Sequence, residues 1–327
     1  MKLFGQDTAI DAFRDAMDSG KLHHAWLLAG PRGVGKALFA DMAARRMLAQ
    51  AARPEGLGEG LSVPDIHPTA QLIDAGSHPD LRRLARLPRD RKPEELARNI
   101  TVDQVRGIQS LFATTPSMSD WRAVVIDAID DLERPAANAL LKNLEEPPSN
   151  CVFLLVCHNP GRVLPTIRSR CRMLRFSRLS PDAMTSAIAQ AAPDLDADER
   201  TALVRIGNGA PGQALHYAGL DIAALDATIG SLIAEGDAGN RARAALAQSL
   251  GLKNAQPRYE AFLDRAPSAI AAHARTLEGR ALQKAVSVWE EARALAGGAQ
   301  RLSLDPQTTV FALAGLLASL HEPRHDA

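Results

Sequence analysis

The chain has few cysteines, few aromatic residues and no net charge. Of its 327 residues only 3 are cysteine and 4% are aromatic, and 38 basic side chains balance 38 acidic ones. Three cysteines are too few for a disulfide framework or a four-thiolate zinc site. The shortage of aromatics argues against a stacking platform for single strands. The charge balance argues against a protein that coats nucleic acid through bulk electrostatics.

Long apolar runs are also missing. No stretch of 18 apolar residues is free of charge, and the N-terminal MKLFGQDTAIDAF has no apolar signal core. We therefore expect no membrane partner, a cytoplasmic location and free thiols at Cys151, Cys157 and Cys171. With 46% hydrophobic residues the chain is expected to fold, and its length allows two or three domains.

The first 180 residues alternate between strand-like and helix-like segments. Short apolar runs predict strands covered on both faces at 24–30, 70–76, 123–129, 152–158 and 173–177. Helical segments are predicted after Lys36, from near Thr101, and after Pro135 until Pro147-Pro148. This alternation predicts the α/β class, with a parallel sheet between layers of helices.

After Leu179 the sequence is rich in Ala and Leu and contains no convincing strand. Ser180 is expected to cap a helix that begins at Pro181. Helix breaks are predicted at Pro193, Gly207–Gly209, Pro211-Gly212, around Gly236 and at Gly297-Gly298. The expected division is an α/β domain at 1–179, a small helical unit at 180–218 and an all-helical domain at 219–327, with a polar loop at 53–68.

The zero net charge conceals an uneven distribution. Residues 1–180 carry four more basic than acidic side chains, and the remainder carries the opposite balance. Between Glu146 and Asp182 there is no acid but there are six arginines: Arg162, Arg168, Arg170, Arg172, Arg175 and Arg178. A second basic run, from Arg82 to Lys92, is predicted to be an exposed loop face rather than a nucleic-acid site.

A glycine-rich segment follows the first predicted strand and opens a helix. It fits the phosphate-binding pattern G-x-x-x-x-G-K-[ST] except at its last position, with Gly30, Pro31, Arg32, Gly33, Val34, Gly35, Lys36 and Ala37. Its backbone N–H groups would surround phosphate oxygens, and Lys36 would reach the outer phosphates. The alternative is a glycine-rich turn without a ligand.

Two groups that hydrolysis needs are missing from this segment and its partner strand. Ala37 replaces the hydroxyl that normally ligates Mg²⁺. Asp127 ends an apolar strand where it would assist a metal through water, but Ala128 replaces the expected general base. We expect weak phosphate or ATP/ADP binding, no required cofactor and no intrinsic ATPase activity. Asp130 and Asp131 cannot simply replace the base, because they lie two and three residues beyond position 128.

Several longer motifs resemble the delta-prime family of the bacterial DNA polymerase III clamp loader, within the AAA+ class. They are Phe4-Gly5-Gln6, the run from His24 to Pro31, His78-Pro79-Asp80, the run Asn138-Ala139-Leu140-Leu141-Lys142 that continues to Glu145-Glu146-Pro147-Pro148, and Ile167-Arg168-Ser169-Arg170-Cys171. The resemblance covers about residues 4–180 and extends weakly through Gly209–Gly212. It implies a five-stranded AAA+ domain, a helical lid and a helical collar.

The resemblance also implies a function. The subunit would help a pentamer containing gamma/tau and delta subunits place the sliding clamp on primer-template DNA, as part of a nucleotidyltransferase holoenzyme. Arg170 would act in trans as an arginine finger on a neighbour's ATP, with Arg168 as the second candidate. Gln213 stands where ATPase relatives carry a lid arginine. Many relatives hold zinc through cysteines, but residues 1–150 contain none, so no metal is expected.

Three hypotheses remain open at this point. The leading one is a non-hydrolysing clamp-loader subunit that donates Arg170. The second is a self-sufficient P-loop ATPase, which the alanines at 37 and 128 disfavour. The third is a pure scaffold in which Arg170 is a surface arginine or a structural salt-bridge partner.

His158-Asn159, after the fourth predicted strand, also has two possible roles: it is either a γ-phosphate sensor or a turn.

Overall fold

A computed structural model describes residues 2–89, 92–113, 115–302 and 304–321. Packing separates the chain into two compact units. The first takes in the chain to Pro193 together with Gly207–Ala214, and the second takes in Asp194–Ile206 and the chain from Leu215 onward. The three-part division predicted above, at 1–179, 180–218 and 219–327, stays a prediction.

A five-stranded parallel sheet lies at the centre of the first unit, in the order β2-β5-β6-β1-β7. Its strands are β1 Ala25–Ala29, β2 Leu81–Ala85, β5 Arg122–Asp127, β6 Cys151–Cys157 and β7 Arg172–Arg175. Every residue of β1 and β6 is buried, as expected for strands with helices on both faces. A separate antiparallel hairpin contains β3 Pro88–Arg89 and β4 Lys92–Leu96. The predicted α/β class with a five-stranded parallel sheet is confirmed.

Helices cover the two faces of this sheet. They are α1 Asp7–Asp18, α2 Lys36–Ala52, α3 Pro68–Asp74, α4 Val102–Arg106, α5 Gln109–Phe112, α6 Arg134–Glu145, α7 Pro165–Arg168 and α8 Pro181–Ala191. On one face α4 and α6 bury Val105, Leu140 and Leu144 against strand residues such as Ile126 and Phe153.

A cluster of four aromatic residues lies on the other face. Phe13 meets Trp26 and Phe39 edge-on, at ring-centroid distances of 5.2 and 5.7 Å, and Phe39 meets Phe176 at 5.1 Å. Large rings in edge-to-face contact bury much apolar area in a fixed geometry. They therefore hold α1 and α2 against β1, which orients the loop between β1 and α2.

The second unit is helical throughout its described residues. The short α10 Pro211–Leu215 belongs, up to Ala214, to the first unit. The helices of the second unit are α9 Ala197–Gly207, α11 Ile222–Glu235, α12 Arg241–Leu250, α13 Gln256–Ala274, α14 Gly279–Leu302 and α15 Pro306–Ala318. One apolar cluster joins them, with Leu225, Phe262, Ile270, Val310 and Leu313 at its centre. Among the described residues no helix is both long and apolar enough to cross a membrane.

The structure corrects three predicted elements. Residues 70–76 are not a strand: residues 70–74 belong to α3 (Pro68–Asp74) and Ala75-Gly76 form the turn after it, because Pro68 starts a helix whose first turn is capped by the side chain of His67. The sheet instead takes β2 as its fifth strand, so the expectation of a loop was wrong for residues 82–85. It was also wrong for Arg89 and Lys92, which belong to the hairpin strands β3 and β4, and Arg91 lies outside the described residues. Gly297-Gly298 does not break the chain, since α14 continues through it to Leu302.

Of two further predicted helices, one differs in detail and the other is confirmed. The helix expected from Thr101 is divided into α4, which begins with a capping box between Thr101 and Gln104, and the short α5. The helix expected at Pro181 is present. The Ser180 hydroxyl accepts a hydrogen bond from the Ala183 N–H at 3.3 Å, as the sequence predicted.

Candidate functional site: a phosphate loop and an exposed arginine

The glycine-rich loop joins the buried end of β1 to the start of α2. Gly33 and Gly35 adopt positive φ angles of 78° and 100°, a conformation that favours glycine. Gly30 has no room for a side chain, because a Cβ there would lie 2.3 Å from the Phe176 carbonyl oxygen. Within the described part of the chain, no acceptor pairs with the N–H groups of residues 33–37. This loop therefore has the free donors that a phosphate needs.

Lys36 lies inside this loop and is only 3% exposed. Its ammonium donates to the Gly30 carbonyl at 2.7 Å and also to the Pro31 carbonyl. Burial lowers the pKa of Lys36 to about 8, although Cys157, Asp130 and Asp127 act in the opposite direction. A phosphate would compensate the desolvated charge, so the residues present fit a phosphate group.

Neighbouring segments hold the loop from outside. The buried Gln6 amide donates to the Val34 carbonyl at 3.2 Å and to the Ser177 carbonyl at 2.8 Å. The Gly212 N–H donates to the Gly33 carbonyl at 2.8 Å. A Cβ on Gly33 would lie 2.7 Å from the Gln213 nitrogen, so Gln213 approaches the loop through its backbone. Gln6 belongs to the Phe4-Gly5-Gln6 motif, but the sequence did not indicate that its side chain anchors the loop.

The structure places the acidic residues around the end of β5. Asp127 ends the strand, and burial raises the pKa of its carboxyl, with Asp41 adding to the effect. The next residue, Ala128, is buried and its methyl side chain supplies no carboxylate at the position where a general base is expected. Asp130 accepts hydrogen bonds from the His158 and Asn159 N–H groups at 2.6 and 2.8 Å.

Asp131 is also engaged in a contact within the chain. One of its oxygens pairs with Arg86 Nε at 3.1 Å, and the other lies 4.0 Å from Arg32. Neither Asp130 nor Asp131 is therefore free to take over the role that Ala128 cannot perform. A methyl group at Ala37 likewise offers no ligand for Mg²⁺.

The residues after β6 form a turn. The Asn159 side chain accepts a hydrogen bond from the Gly161 N–H at 3.1 Å, which is a local turn contact. Burial lowers the pKa of His158 to about 4, with Lys36 and Arg32 adding to the effect, so this imidazole is neutral at pH 7. His158 lines a cleft of about 690 Å³ together with Pro31, Arg168 and Arg175.

Arg170 lies just beyond the short helix α7, outside the phosphate loop. Its Nη2 lies 2.9 Å from Glu145 Oε1, and its Nη1 donates to the Thr166 carbonyl at 2.9 Å. The side chain keeps 36% of its surface exposed. Two other arginines of the acid-free segment have contacts of their own: Arg172 lies over the Trp26 ring at 4.8 Å, and Arg178 donates to the Asn208 carbonyl.

A glycine-rich loop that joins an interior strand of a parallel sheet to the start of a helix is the arrangement of a P-loop domain, in agreement with the AAA+ fold predicted above. The family described as "DNA polymerase III, delta subunit" matches residues 5–180, more than half of the sequence. The chain belongs to this family.

Similar proteins carry related names. DNA polymerase III subunit delta' of Pseudomonas aeruginosa is 36% identical over 199 residues, which cover 60% of this chain and 57% of the relative. DNA polymerase III subunit gamma of Buchnera aphidicola is 33% identical over 182 residues, or 55% and 46% of the two chains. The chain thus spans about half the length of the curated relatives it matches.

A solved structure of similar extent is more distant. A DNA polymerase III gamma subunit-related protein of Thermotoga maritima aligns with 95% of this chain and 99% of its own. The two sequences are 16% identical and the TM-score is 0.46. That similarity is too low to inform the function of the present chain.

Proposed function

We propose that the chain is a non-hydrolysing subunit of a DNA polymerase III clamp loader and supplies Arg170 to the ATP site of a neighbouring subunit. Its partners would be gamma/tau and delta subunits, and through the assembly the sliding clamp and primer-template DNA. The names of the relatives support this assignment. Bound ATP or ADP would be weak and optional, with no zinc.

One observation carries the non-hydrolysing role. The phosphate loop keeps its free amides and its lysine, but Ala37 and Ala128 remove the Mg²⁺ ligand and the base. The nearby carboxylates of Asp130 and Asp131 are engaged in contacts within the chain. If a nucleotide binds, Lys36 and the amides of residues 33–37 would hold its phosphates. Mg²⁺ bound with it would have no protein hydroxyl as a ligand.

The proposed role of Arg170 depends on its chemistry and exposure. A guanidinium stays charged at all physiological pH values and presents several donors in one plane, which suits the charge that develops on a γ-phosphate. More than a third of its side-chain surface is exposed, so an acceptor on another subunit can approach it.

The test uses a clamp loader reconstituted with its clamp and primed DNA. Arg170→Ala should lower ATP turnover at the facing site by about a thousandfold, the low end for arginine fingers. Arg162→Ala, in the same acid-free segment, is the matched control and should change little. An unchanged rate in Arg170→Ala would favour the pure scaffold. If the isolated chain hydrolyses ATP robustly and Lys36→Ala abolishes this activity, the self-sufficient ATPase is favoured instead.

A further inference from the structure

The ion pair between Glu145 and Arg170 joins two helical elements of the first unit. Glu145 is the last residue of α6, and Arg170 follows the C-terminal end of α7. We propose that Glu145 is a positioning residue that orients the Arg170 guanidinium toward the neighbouring subunit's ATP. This inference depends on the proposed function, because it concerns how Arg170 performs its role in trans.

The contacts of Arg170 leave it capable of binding a phosphate. Nη2 pairs with Glu145 at 2.9 Å, while Nη1 donates to the Thr166 carbonyl at 2.9 Å and lies 3.4 Å from the Ser169 hydroxyl. A guanidinium has five N–H donors, so these three contacts leave others for an acceptor outside the chain. Nη1 and Nη2 of the guanidinium are thus both held, so the remaining N–H donors point in a defined direction.

Both ends of the ion pair are fixed to the hydrophobic core. On α6, Leu140 and Leu144 are 0% and 1% exposed, and the helix ends at Glu145 before Pro147. On α7, Ile167 is 1% exposed and fixes the turn that carries Arg170. A long side chain that is held before the reaction loses less freedom in the transition state. The carboxylate therefore supplies orientation that the flexible arginine stem lacks.

The location of the pair argues against a purely structural role. The side chains of Glu145 and Arg170 are 48% and 36% exposed, and exposed ion pairs contribute little to stability. The segment from 147 to 181 contains no acid, so a carboxylate partner for Arg170 must come from another element. The adjacent Glu146 is exposed and makes no ion pair within the described residues, so it provides a matched control.

The experiment measures clamp- and DNA-stimulated ATP turnover of the reconstituted loader with four variants. They are Glu145→Gln, Glu146→Gln, Arg170→Ala and the double variant Glu145→Gln/Arg170→Ala. Glu145→Gln should lower kcat by about threefold to tenfold with little change in the KM for ATP, since orientation acts on the transition state. Glu146→Gln should match the wild type.

Two further readouts separate positioning from general damage. In the Arg170→Ala background, Glu145→Gln should cause no additional loss, because its effect operates through the arginine. The ratio of wild-type to Glu145→Gln rates should also fall as salt rises, because an exposed ion pair is screened. Full activity in Glu145→Gln, or a loss that adds to that of Arg170→Ala, would overturn the inference while the proposed function stands. A fully active Arg170→Ala would instead refute the proposed function itself.

Discussion

The phosphate loop and the Arg170 region differ in how the chain uses its charged groups. In the loop, Lys36 is buried and its ammonium is hydrogen-bonded to the carbonyls of Gly30 and Pro31. Arg170 is held by Glu145 and Thr166 but remains partly exposed. In the proposed function the loop keeps the shape of a nucleotide site without hydrolysing ATP, whereas Arg170 acts on the ATP of a neighbouring subunit. Variants of the two regions should therefore differ in their effects on ATP turnover, nucleotide binding and stability.

The largest expected difference is between Arg170 and Lys36 variants in the reconstituted loader. Arg170→Lys keeps the charge but loses the planar fork, so turnover should fall nearly as far as in Arg170→Ala, by about a hundredfold or more. Lys36→Ala should leave turnover within about twofold of the wild type, because in the proposed function the chain's own loop does not hydrolyse ATP. A comparable loss from Lys36→Ala would show that both regions act in catalysis.

The next effect concerns Asp130, whose carboxylate we interpret as structural. Asp130→Ala leaves the His158 and Asn159 N–H groups without their acceptor, so the free energy of unfolding should fall by about 2 kcal/mol. Chemical denaturation of the isolated chain measures this change. The exposed Asp120→Ala is the control and should be nearly neutral. A loss of loader turnover without a loss of stability would mean that Asp130 participates in chemistry.

Restoring a hydroxyl to the loop should make nucleotide binding depend on Mg²⁺. We expect Ala37→Thr to bind ATP about tenfold more tightly with Mg²⁺ than without it, since the hydroxyl supplies the missing ligand. The wild-type chain should show little difference. Ala37→Val has the same shape without the oxygen and should behave like the wild type. Equal Mg²⁺ dependence in all three chains would contradict the importance of Ala37.

The smallest expected effect is a pH dependence of ATP binding to the isolated chain. Anion binding requires protonated Lys36, whose pKa is lowered to about 8 rather than raised. Affinity should therefore be retained below pH 8 and fall about fivefold between pH 8 and pH 9, well before an ordinary lysine would titrate. Calorimetry across this range measures the change. Lys36→Met should bind weakly without this pH dependence, and an unchanged affinity in wild type up to pH 10 would contradict the assignment.

The sequence predicted the buried strands well because they consist almost entirely of apolar residues. Residues 25–30 and 152–157 are apolar throughout, and both ranges overlap strands whose residues are all buried. It failed for β2, in which Leu81 and Leu84 are buried while Arg82 and Arg83 are exposed. A strand at the edge of the sheet tolerates such charges, so its sequence looks like a basic loop. The apolar run at 70–76 was misassigned because helices and short buried strands have similar composition.

The residues that define the candidate site were only partly predictable. The glycines, Lys36, Ala37, Asp127 and Ala128 are set by spacing around two strand ends, and that spacing is readable along the chain. The roles of Asp130 and Gln6 were not readable. Asp130 is engaged by backbone donors after β6, and Gln6 by carbonyls of the loop and of Ser177, which lies 171 residues away. No local pattern encodes such contacts.

The sequence by itself determined the glycine-rich loop with its lysine, the alanines at positions 37 and 128, and the acid-free arginine segment. Each of these depends on which residue type stands at a given spacing within one continuous segment. Only the tertiary structure decided that the Asp130 carboxylate accepts backbone hydrogen bonds, that Lys36 is desolvated, and that Glu145 lies beside Arg170. Those properties depend on burial and on contacts between distant elements, and they arise when the sheet and helices pack.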